Sequence, residues 1–378
     1  MKYPTYLPIL LCVSPTHPLP IHSTCSGVPP TTWNTDQHTI GPAIQSWLHS
    51  IVSVSEGVDR VESMLYHPIT GEYNKHYAHY NDVLEENNHL VDTDRRVVTI
   101  GTYNTGFPSG LAWQWRGKRM AEGFLYGEVD RRGQFSGDNI TFIYPDFVTG
   151  LRGRYEYGVL VWATAVKIVG ERCREGIKEI MVETADSDGD VIWEKEEATQ
   201  WYIGRHPQVM DPHERKSVYV GDSLIPGSDE GLFARRSFMP GDIVSYFSGT
   251  RTFARDMFFD NMTEAEISSA GAYFYNLATN SPDWWGYPED LVLDIPEEYR
   301  SIYKFRTTLG HKANHLFEGK NTEYDTVNHP VHGGIVCLIA TEVINKDDEI
   351  YVDYLYDVDD EATEQWYKDL YDRTYYGE

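Results

Sequence analysis

The stretch Leu309–Tyr356 opens with Gly310-His311-Lys312-Ala313-Asn314-His315 and closes with Asp348-Glu349-Ile350-Tyr351-Val352-Asp353-Tyr354-Leu355-Tyr356. The opening piece has no apolar residues at helical spacing, which predicts a loop. Apolar and aromatic residues alternate in the closing piece, which predicts a short half-buried strand. Between them, the mostly apolar run Gly334–Ala340 has the length of a strand. We expect the loop and the end of the closing strand to share one pocket.

The side chains that could bind a metal do not form a recognisable set. His311 and His315 are four positions apart, as in helical zinc pairs, but neither a helix signal nor an acidic third ligand accompanies them. We therefore predict no metal site. The four cysteines form no CxxC pair, and the one inside the apolar run is expected to be a buried thiol. They are Cys12, Cys25, Cys173 and Cys337.

Two short motifs in this stretch resemble the signature motifs of the SET-domain protein-lysine methyltransferases. Asn314-His315 matches the family's Asn-His pair at a knot-like crossing, and Glu349–Tyr354 matches its Glu-Leu-x-x-Asp-Tyr segment. The likeness is greatest to the branch that carries N-terminal MORN repeats and monomethylates lysine 4 of histone H3. The chain departs from the family at Leu316–Asn321, which replaces Ser-x-x-Pro-Asn with one extra residue and no proline.

The resemblance implies a fold and a division of the chain. The fold would be mostly β, with a MORN-repeat β-hairpin sheet followed by a knotted, β-clip-like SET domain and a C-terminal helix. Residues 1–60 would be a disordered or poorly defined tail, 61–170 degenerate MORN repeats and 171–215 a connector. Residues 216–360 would be the SET domain and 361–378 the helix. Within the SET domain, the strands on either side of Pro240-Gly241 are expected to form a hairpin.

The resemblance also implies roles for individual residues. Tyr354 would be the central catalytic tyrosine, with Tyr324 and Tyr356 lining the channel for the substrate lysine. Phe247 stands where the branch has a tyrosine that hydrogen-bonds the lysine amine, so we expect the product to shift from one methyl group toward two. The cofactor would be S-adenosylmethionine, with the Trp366 ring against its adenine. The cofactor-binding residues would be Ser228, Asp229, Glu230, Gly231, Asn314, His315 and Trp366.

The proposed chemistry explains why tyrosines would line such a channel. Only the neutral amine of lysine attacks a methyl group, and free lysine has a pKa of about 10.4. A narrow channel favours the neutral amine by desolvation and aligns it with the methyl group. Tyrosine hydroxyls and backbone carbonyls can hold the amine by hydrogen bonds.

A weak internal repeat precedes the SET-like region. Ile100-Gly101-Thr102-Tyr103, Tyr126-Gly127-Glu128-Val129 and Arg152-Gly153-Arg154-Tyr155 recur every 26 positions. Each unit predicts a β-hairpin, and repeated hairpins bury together a face that one hairpin cannot bury alone. The units resemble degenerate MORN repeats, although an antiparallel sheet unrelated to them would give a similar pattern.

The composition of the chain limits the kinds of partner that it is expected to bind. The chain has 32 basic and 58 acidic residues, a net charge of −26, which disfavours direct nucleic-acid binding and favours basic peptides such as the histone H3 tail. The same charge also suits a merely solvated acidic surface. No apolar run reaches the length of a membrane span, so no membrane contact is expected. The resemblance implies a monomer in the nucleus and on chromosomes, with the cytoplasm as a further location.

A second interpretation remains open, in which the chain is a non-catalytic MORN/SET scaffold or binding protein. The altered Leu316–Asn321 loop, Phe247 and Leu370 favour it, because the branch has a glutamate cofactor ligand at the last of these positions. Asn314, His315 and Tyr354 favour the enzyme.

Overall fold

The computed structural model describes the residues that build the sheets and the candidate site. These are residues 72–81, 97–104, 107–116, 122–130, 134–174, 177–185, 191–196, 198–199, 201–253, 275–277, 291–356, 358–359 and 363–377. The predicted tail at 1–60 lies outside the described residues, as do Trp284, Trp285 and Tyr287, which the sequence suggests as candidates for a peptide groove.

Nine strands of the N-terminal part form one antiparallel sheet. They are β1 (Glu72–Asn81), β2 (Val97–Asn104), β3 (Phe107–Arg116), β4 (Phe124–Val129), β5 (Gly137–Ile143), β6 (Thr149–Glu156), β7 (Val159–Arg174), β8 (Ile177–Thr184) and β9 (Ile192–Glu194). The order in the sheet follows the sequence from β1 to β8, and β9 pairs separately with β7. Strands β8 and β9 continue the sheet into residues that the sequence predicts as a connector.

The predicted hairpins correspond to β2 with β3, β4 with β5, and β6 with β7. The glycine of the repeat faces an alanine across the pair, as in Gly101 opposite Ala112 and Gly153 opposite Ala163. Stacked antiparallel hairpins are therefore confirmed as the architecture of this part. The recurring glycine marks positions where small residues lie opposite each other.

The C-terminal part holds three small sheets that join strands distant in sequence. The strands are β10 (Val218–Asp222), β11 (Glu230–Ala234), β12 (Ile243–Phe247), β13 (Thr250–Phe253), β14 (Tyr275–Asn276), β15 (Leu291–Asp294), β16 (Asn314–His315), β17 (Thr322–His329), β18 (Gly333–Ala340) and β19 (Glu349–Val352). Their orders are β10-β11-β19-β16, β12-β18-β17 and β13-β15-β14. The predicted strands at Gly334–Ala340 and near Glu349 are confirmed.

The predicted hairpin around Pro240-Gly241 is wrong. Strand β11 pairs with β10 and β19, whereas β12 pairs with β18. All five residues of β12 are buried, so this strand needs cover on both faces. A two-stranded hairpin would leave one face in water, and the turn signal in the sequence contains no information about distant partners.

The two parts share one hydrophobic core. Phe142 and Leu151 of the N-terminal sheet belong to the same buried cluster as Ile243, Ile335 and Cys337 of the β12-β18-β17 sheet. Cys337 is 1% exposed, as its apolar surroundings predict. The N-terminal sheet therefore covers the second face of β12 and β18.

Two α-helices complete the described chain, α1 (Pro212–Ser217) and α2 (Gln365–Tyr375), together with 3₁₀ turns at Glu297–Tyr299 and Gly310–Lys312. Tyr367, Tyr371 and Tyr375 lie on one face of α2 and pack on Phe317, with ring centroids 4.8, 5.4 and 5.7 Å away. The predicted C-terminal helix is confirmed. Among the described residues, no helix combines the length and the apolar character needed to cross a membrane.

Candidate active site

The two signature motifs lie side by side in parallel register. Asn314 of β16 is opposite Tyr351 of β19, and His315 is opposite Val352. The 3₁₀ turn at Gly310–Lys312 leads into β16, so the segment predicted as a loop is partly regular. Turns this short have no apolar periodicity that a sequence pattern could detect.

Tyr354 follows the end of β19 and is held by both its backbone and its hydroxyl. Its N–H donates to His315 Nδ1 at 3.1 Å, and its hydroxyl donates to the Ala313 carbonyl at 3.0 Å. The next residue, Leu355, has a φ of +59°, which is uncommon for a branched side chain. Its amide donates to Asp353 Oδ1 at 3.0 Å, which stabilises the bend. Tyr354 is thereby fixed against the crossing segment.

The predicted channel aromatics gather around Tyr354. The Tyr356 ring lies 5.5 Å from the Tyr354 ring. Tyr324 packs against the cluster that includes Tyr354 and also against the one that includes Phe247. Burial raises the pKa of Tyr324 well above its usual value, and the neighbouring Tyr354 and Tyr356 hydroxyls raise it further. The Tyr324 hydroxyl therefore stays protonated at neutral pH.

The Asn314 side chain holds together three segments of chain. Its amide nitrogen donates to Ser223 Oγ at 2.9 Å, the Glu230 carbonyl at 3.0 Å and Glu349 Oε1 at 3.1 Å. A Cβ on Gly231 would overlap with Glu349 Oε1, which explains a glycine at this close approach. Because the amide donors of Asn314 are occupied, a ligand contact by this residue would use its side-chain oxygen or its backbone.

The predicted cofactor loop lies beside the crossing. Ser223 N donates to the Asp229 carbonyl at 3.3 Å and closes the loop. Asp229 and Glu230 are exposed, and Ser228 is half-buried. The Glu230 carboxylate accepts from Lys312 Nζ at 2.8 Å, so the loop is tied to the 3₁₀ turn. Ser228, Asp229 and Glu230 thus lie on the open side of the site.

His315 and Trp366 form the other side. Burial lowers the pKa of His315 to about 4, although nearby Asp353 acts in the opposite direction, so the imidazole is neutral at pH 7. Its Nε2 atom is buried and makes no hydrogen bond to any described residue. The Trp366 ring lies 6.1 Å from the His315 ring and is 43% exposed. An accessible aromatic surface therefore adjoins a buried nitrogen that lacks a partner in the described part of the chain.

Two comparisons bear on the family. A sequence model described as "Histone H3 K4-specific methyltransferase SET7 N-terminal" matches residues 110–173 of the N-terminal sheet. Histone-lysine N-methyltransferase SETD7 of Halocynthia roretzi is 31% identical over 287 residues, which cover 73% of this chain and 68% of that protein. The chain belongs to the SETD7 family. It is thus a member of a family of SET-domain lysine methyltransferases.

Solved structures give weaker likenesses to this SETD7-family chain. A candidate histone methyltransferase of Plasmodium falciparum is 16% identical with a TM-score of 0.25, over 38% of this chain and 96% of its own. The Chaetomium thermophilum Polycomb Repressive Complex 2, autoinhibited and bound to S-adenosylmethionine, is 19% identical with a TM-score of 0.27. That match covers 42% of this chain and 17% of the other. Superpositions this partial add nothing to the family assignment.

The loop that departs from the SET motif is well bonded in this SETD7 relative. Asn321 Nδ2 donates to the Glu349 carbonyl at 2.9 Å, and its Oδ1 accepts from Tyr351 N at 2.9 Å. The side-chain amide thus bonds to the edge of β19 as a neighbouring strand would. Phe317 of the same loop packs 4.2 Å from the His315 ring and supports α2. The departure therefore preserves the crossing.

Sequence reasoning missed several residues of this SETD7-like site. Tyr275 packs 5.2 Å from the Tyr324 ring but lies in a segment that aligns poorly with the family. Ser223 and Glu349 bond to Asn314, and only the position of Glu349 inside the second motif could have indicated it. Glu214 of α1 was also missed, because nothing in the sequence distinguishes it from a surface glutamate.

Proposed function

We propose that this chain is an S-adenosylmethionine-dependent protein-lysine N-methyltransferase whose substrate is a basic segment such as the histone H3 tail. The observation that carries the proposal is the meeting of Tyr354, Tyr324 and Tyr356 beside the Asn314-His315 crossing. Family membership supports it, because the Halocynthia relative is named as a histone-lysine N-methyltransferase.

The residues present fit the proposed cofactor. The half-exposed Trp366 indole offers a face on which a purine can stack. The buried Nε2 of His315, without a partner among the described residues, can donate to a ligand atom. Gly231 and the Glu230 carbonyl lie against the Asn314 side chain, on the other side of the crossing. Ser228, Asp229, Glu230, Gly231, Asn314, His315 and Trp366 would hold the cofactor, which when bound supplies a methyl group activated on a sulfonium.

The channel residues would prepare the substrate amine for methyl transfer. The tyrosine cluster would exclude water from the substrate amine and so favour its neutral form. The Tyr354 hydroxyl, held in place by its hydrogen bond to the Ala313 carbonyl, would accept a hydrogen bond from the incoming amine. The protonated Tyr324 hydroxyl and the Tyr356 hydroxyl would orient the amine for in-line attack. Phe247 would form the wall that leaves room for a second methyl group.

Charge supports a basic substrate and argues against direct nucleic-acid binding. The net charge of −26 would attract a lysine-rich tail and repel phosphates. We also propose a nuclear, chromosomal location, and a monomer without membrane contact. The N-terminal hairpin sheet is proposed to consist of degenerate MORN repeats within the divisions predicted from the sequence.

A non-catalytic scaffold is the second candidate, favoured by two departures. Phe247 lacks the hydroxyl of the family's tyrosine, and the half-buried Leu370 on α2 stands where the family has a glutamate. Neither change removes Tyr354 or the Asn314-His315 crossing.

Calorimetric titration of S-adenosylmethionine, followed by methylation of a histone H3 peptide, tests the enzyme against the scaffold. We expect saturable binding that Trp366→Ala weakens on the order of 10-fold, because stacking on a base is worth about 1–3 kcal/mol. Trp201→Ala is the matched control, since Trp201 is 86% exposed and outside the described site. Absence of both binding and methyl transfer in a folded sample would favour the scaffold.

A further inference from the structure

Helix α1 carries a buried carboxyl group, that of Glu214, which bonds to the segments that lead into the candidate site. Glu214 is 0% exposed and accepts three hydrogen bonds. Its Oε1 accepts from Tyr246 N at 2.5 Å, while Oε2 accepts from Ser245 Oγ at 2.8 Å and from Leu309 N at 3.1 Å. Burial, with a smaller contribution from nearby Asp211, raises the pKa of this carboxyl to about 8, so the group is mostly protonated at neutral pH.

The three donors belong to the two segments that lead into the site. Ser245 and Tyr246 directly precede Phe247 in β12, and Leu309 directly precedes the Gly310 turn that leads to Asn314-His315. One carboxyl group therefore bonds to both segments, directly before Phe247 in one and directly before the Gly310–Lys312 turn in the other. Few other groups could do this, because two of the three donors are backbone amides with fixed directions.

Independent contacts show how closely these segments approach. A Cβ on Gly310 would lie 2.7 Å from the Tyr246 carbonyl oxygen and 3.1 Å from Phe247 Cβ. Ser248 N donates to Thr308 Oγ1 at 3.0 Å on the far side of the same approach. A small shift of either segment would therefore move Phe247 relative to His311, whose rings lie 6.1 Å apart.

A second buried acidic group lies at the start of α1 and bonds to a different set of partners. Asp211 is also 0% exposed and accepts from the Tyr144 hydroxyl at 2.5 Å. Its Oδ2 lies 3.2 Å from His329 Nε2, and its Oδ1 accepts from His213 N at 2.8 Å. These partners lie just after β5, in α1 and in β17, and their rings pack on the Tyr246 ring. Within the described part of the chain, the Asp211 carboxylate makes no hydrogen bond to β12 or to Leu309.

We propose that Glu214 is a positioning residue that sets the separation of β12 from the Gly310–His315 segment, and so the shape of the lysine channel. The proposal rests on the proposed function. Glu214 touches neither substrate nor cofactor and acts through the backbone that carries Phe247 and His315. The N-terminal sheet anchors α1 through the hydrogen bond from Tyr144 to Asp211. The helix is therefore held by the carboxyl groups of both Asp211 and Glu214.

Glu214→Gln is the direct test, because glutamine keeps the shape but replaces one accepting oxygen with an NH₂ donor. At least one donor among the two backbone amides and the Ser245 hydroxyl would lose its acceptor. We expect kcat to fall roughly 100-fold with little change in the KM for peptide, since misplacement by about 1 Å can cost that much. Hydrogen exchange of segments 245–249 and 308–312 should become faster.

Asp211→Asn is the matched control, with the same burial and the same replacement of a carboxyl group by an amide. It should lower the melting temperature without reducing kcat and without faster exchange at 245–249 and 308–312. Equal losses of kcat in both variants at equal loss of stability would overturn the proposal, as would unchanged kcat and exchange in Glu214→Gln.

Ser245→Ala provides a milder variant if Glu214→Gln does not fold. It removes one donor and should give a smaller fall in kcat with faster exchange at 308–312; no change in either would count against the positioning role. A wild-type protein without methyl transfer would contradict the proposed function, whereas the exchange measurement would still decide whether Glu214 holds the two segments.

Discussion

The N-terminal sheet and the SET part are both strand-rich and share a core, but they pair their strands in opposite ways. In the sheet, each strand from β1 to β8 pairs with its neighbour in sequence. In the SET part, Leu232 of β11 pairs with Ile350 of β19, and β19 also pairs in parallel with β16. Local pairing produces a regular surface, whereas non-local pairing brings distant loops to one crossing.

The two parts also differ in what they bury near their centres. Tyr155 and Leu151 are typical of the sheet, where large apolar or aromatic side chains fill the interior. The SET part buries His311, His315 and Glu349 to 8% exposure or less. The sheet buries two acidic groups as well, Glu171 and Glu179 in the β7-β8 pair. Burying polar groups costs free energy unless each finds a partner, and we propose that at the crossing they are retained for chemistry. We therefore propose that the sheet serves stability and the crossing serves function.

The sharpest test of this contrast uses two tyrosines that make the same hydrogen bond. Tyr155 donates to the Leu151 carbonyl at 3.0 Å, and Tyr354 donates to the Ala313 carbonyl at 3.0 Å. We expect Tyr354→Phe to lower kcat at least about 100-fold, because general positioning and acid–base groups contribute about 10²–10⁴. Steady-state methylation of an H3 peptide measures the effect.

The matched variant Tyr155→Phe should instead cost about 1 kcal/mol of unfolding free energy and leave kcat unchanged. Denaturant unfolding of both variants checks this. The contrast fails if Tyr354→Phe retains wild-type kcat, or if the two variants lose activity in proportion to lost stability.

The same difference explains which features the sequence could predict. The hairpins of β2 to β7 follow from a glycine repeat and short turns, because their partners are adjacent in the chain. The crossing could be located only through the resemblance of Asn314-His315 and Tyr354 to a known motif. The false hairpin at Pro240-Gly241 arose because β12 takes its partner, β18, from far along the chain. Glu214 was missed because its burial depends on contacts with β12 and Leu309 that no local pattern encodes.

Acid should destabilise the SET part selectively. Burial lowers the pKa values of His213 and His315 to about 4, and those of His311 and His332 to about 3. The unfolded chain binds these protons near pH 6.5, whereas the folded state does not. Their contribution to stability is therefore complete above pH 6.5 and is lost as pH falls toward 4 and then 3, by about 1.4 kcal/mol per pH unit for each group.

His332→Phe isolates one of these groups. Phenylalanine can keep the stacking on His329, whose ring lies 4.9 Å away, but it cannot bind a proton. Denaturant unfolding between pH 7 and pH 4.5 should give a flatter pH dependence by about 1.4 kcal/mol per unit. Leu151→Ala in the N-terminal sheet is the control, since it should lower stability by about 2–5 kcal/mol at every pH without changing the slope. Parallel curves for His332→Phe and wild type would contradict the assignment.

The prediction with the smallest expected effect adds one hydroxyl group to a buried phenylalanine in each part. Phe247 is 4% exposed beside Gly310 and His311, and Phe142 is 8% exposed in the N-terminal sheet. We expect Phe247→Tyr to shift the product of an H3 peptide from two methyl groups toward one, because the new hydroxyl fills space and adds a hydrogen-bond partner for the amine. Mass spectrometry of the product measures the ratio. Phe142→Tyr should change stability but not the ratio, and a strictly monomethylated product from the wild-type protein would rule out the role of Phe247. A shift in the product ratio confined to Phe247→Tyr would mean that a phenylalanine serves packing in the N-terminal sheet and product choice in the SET part.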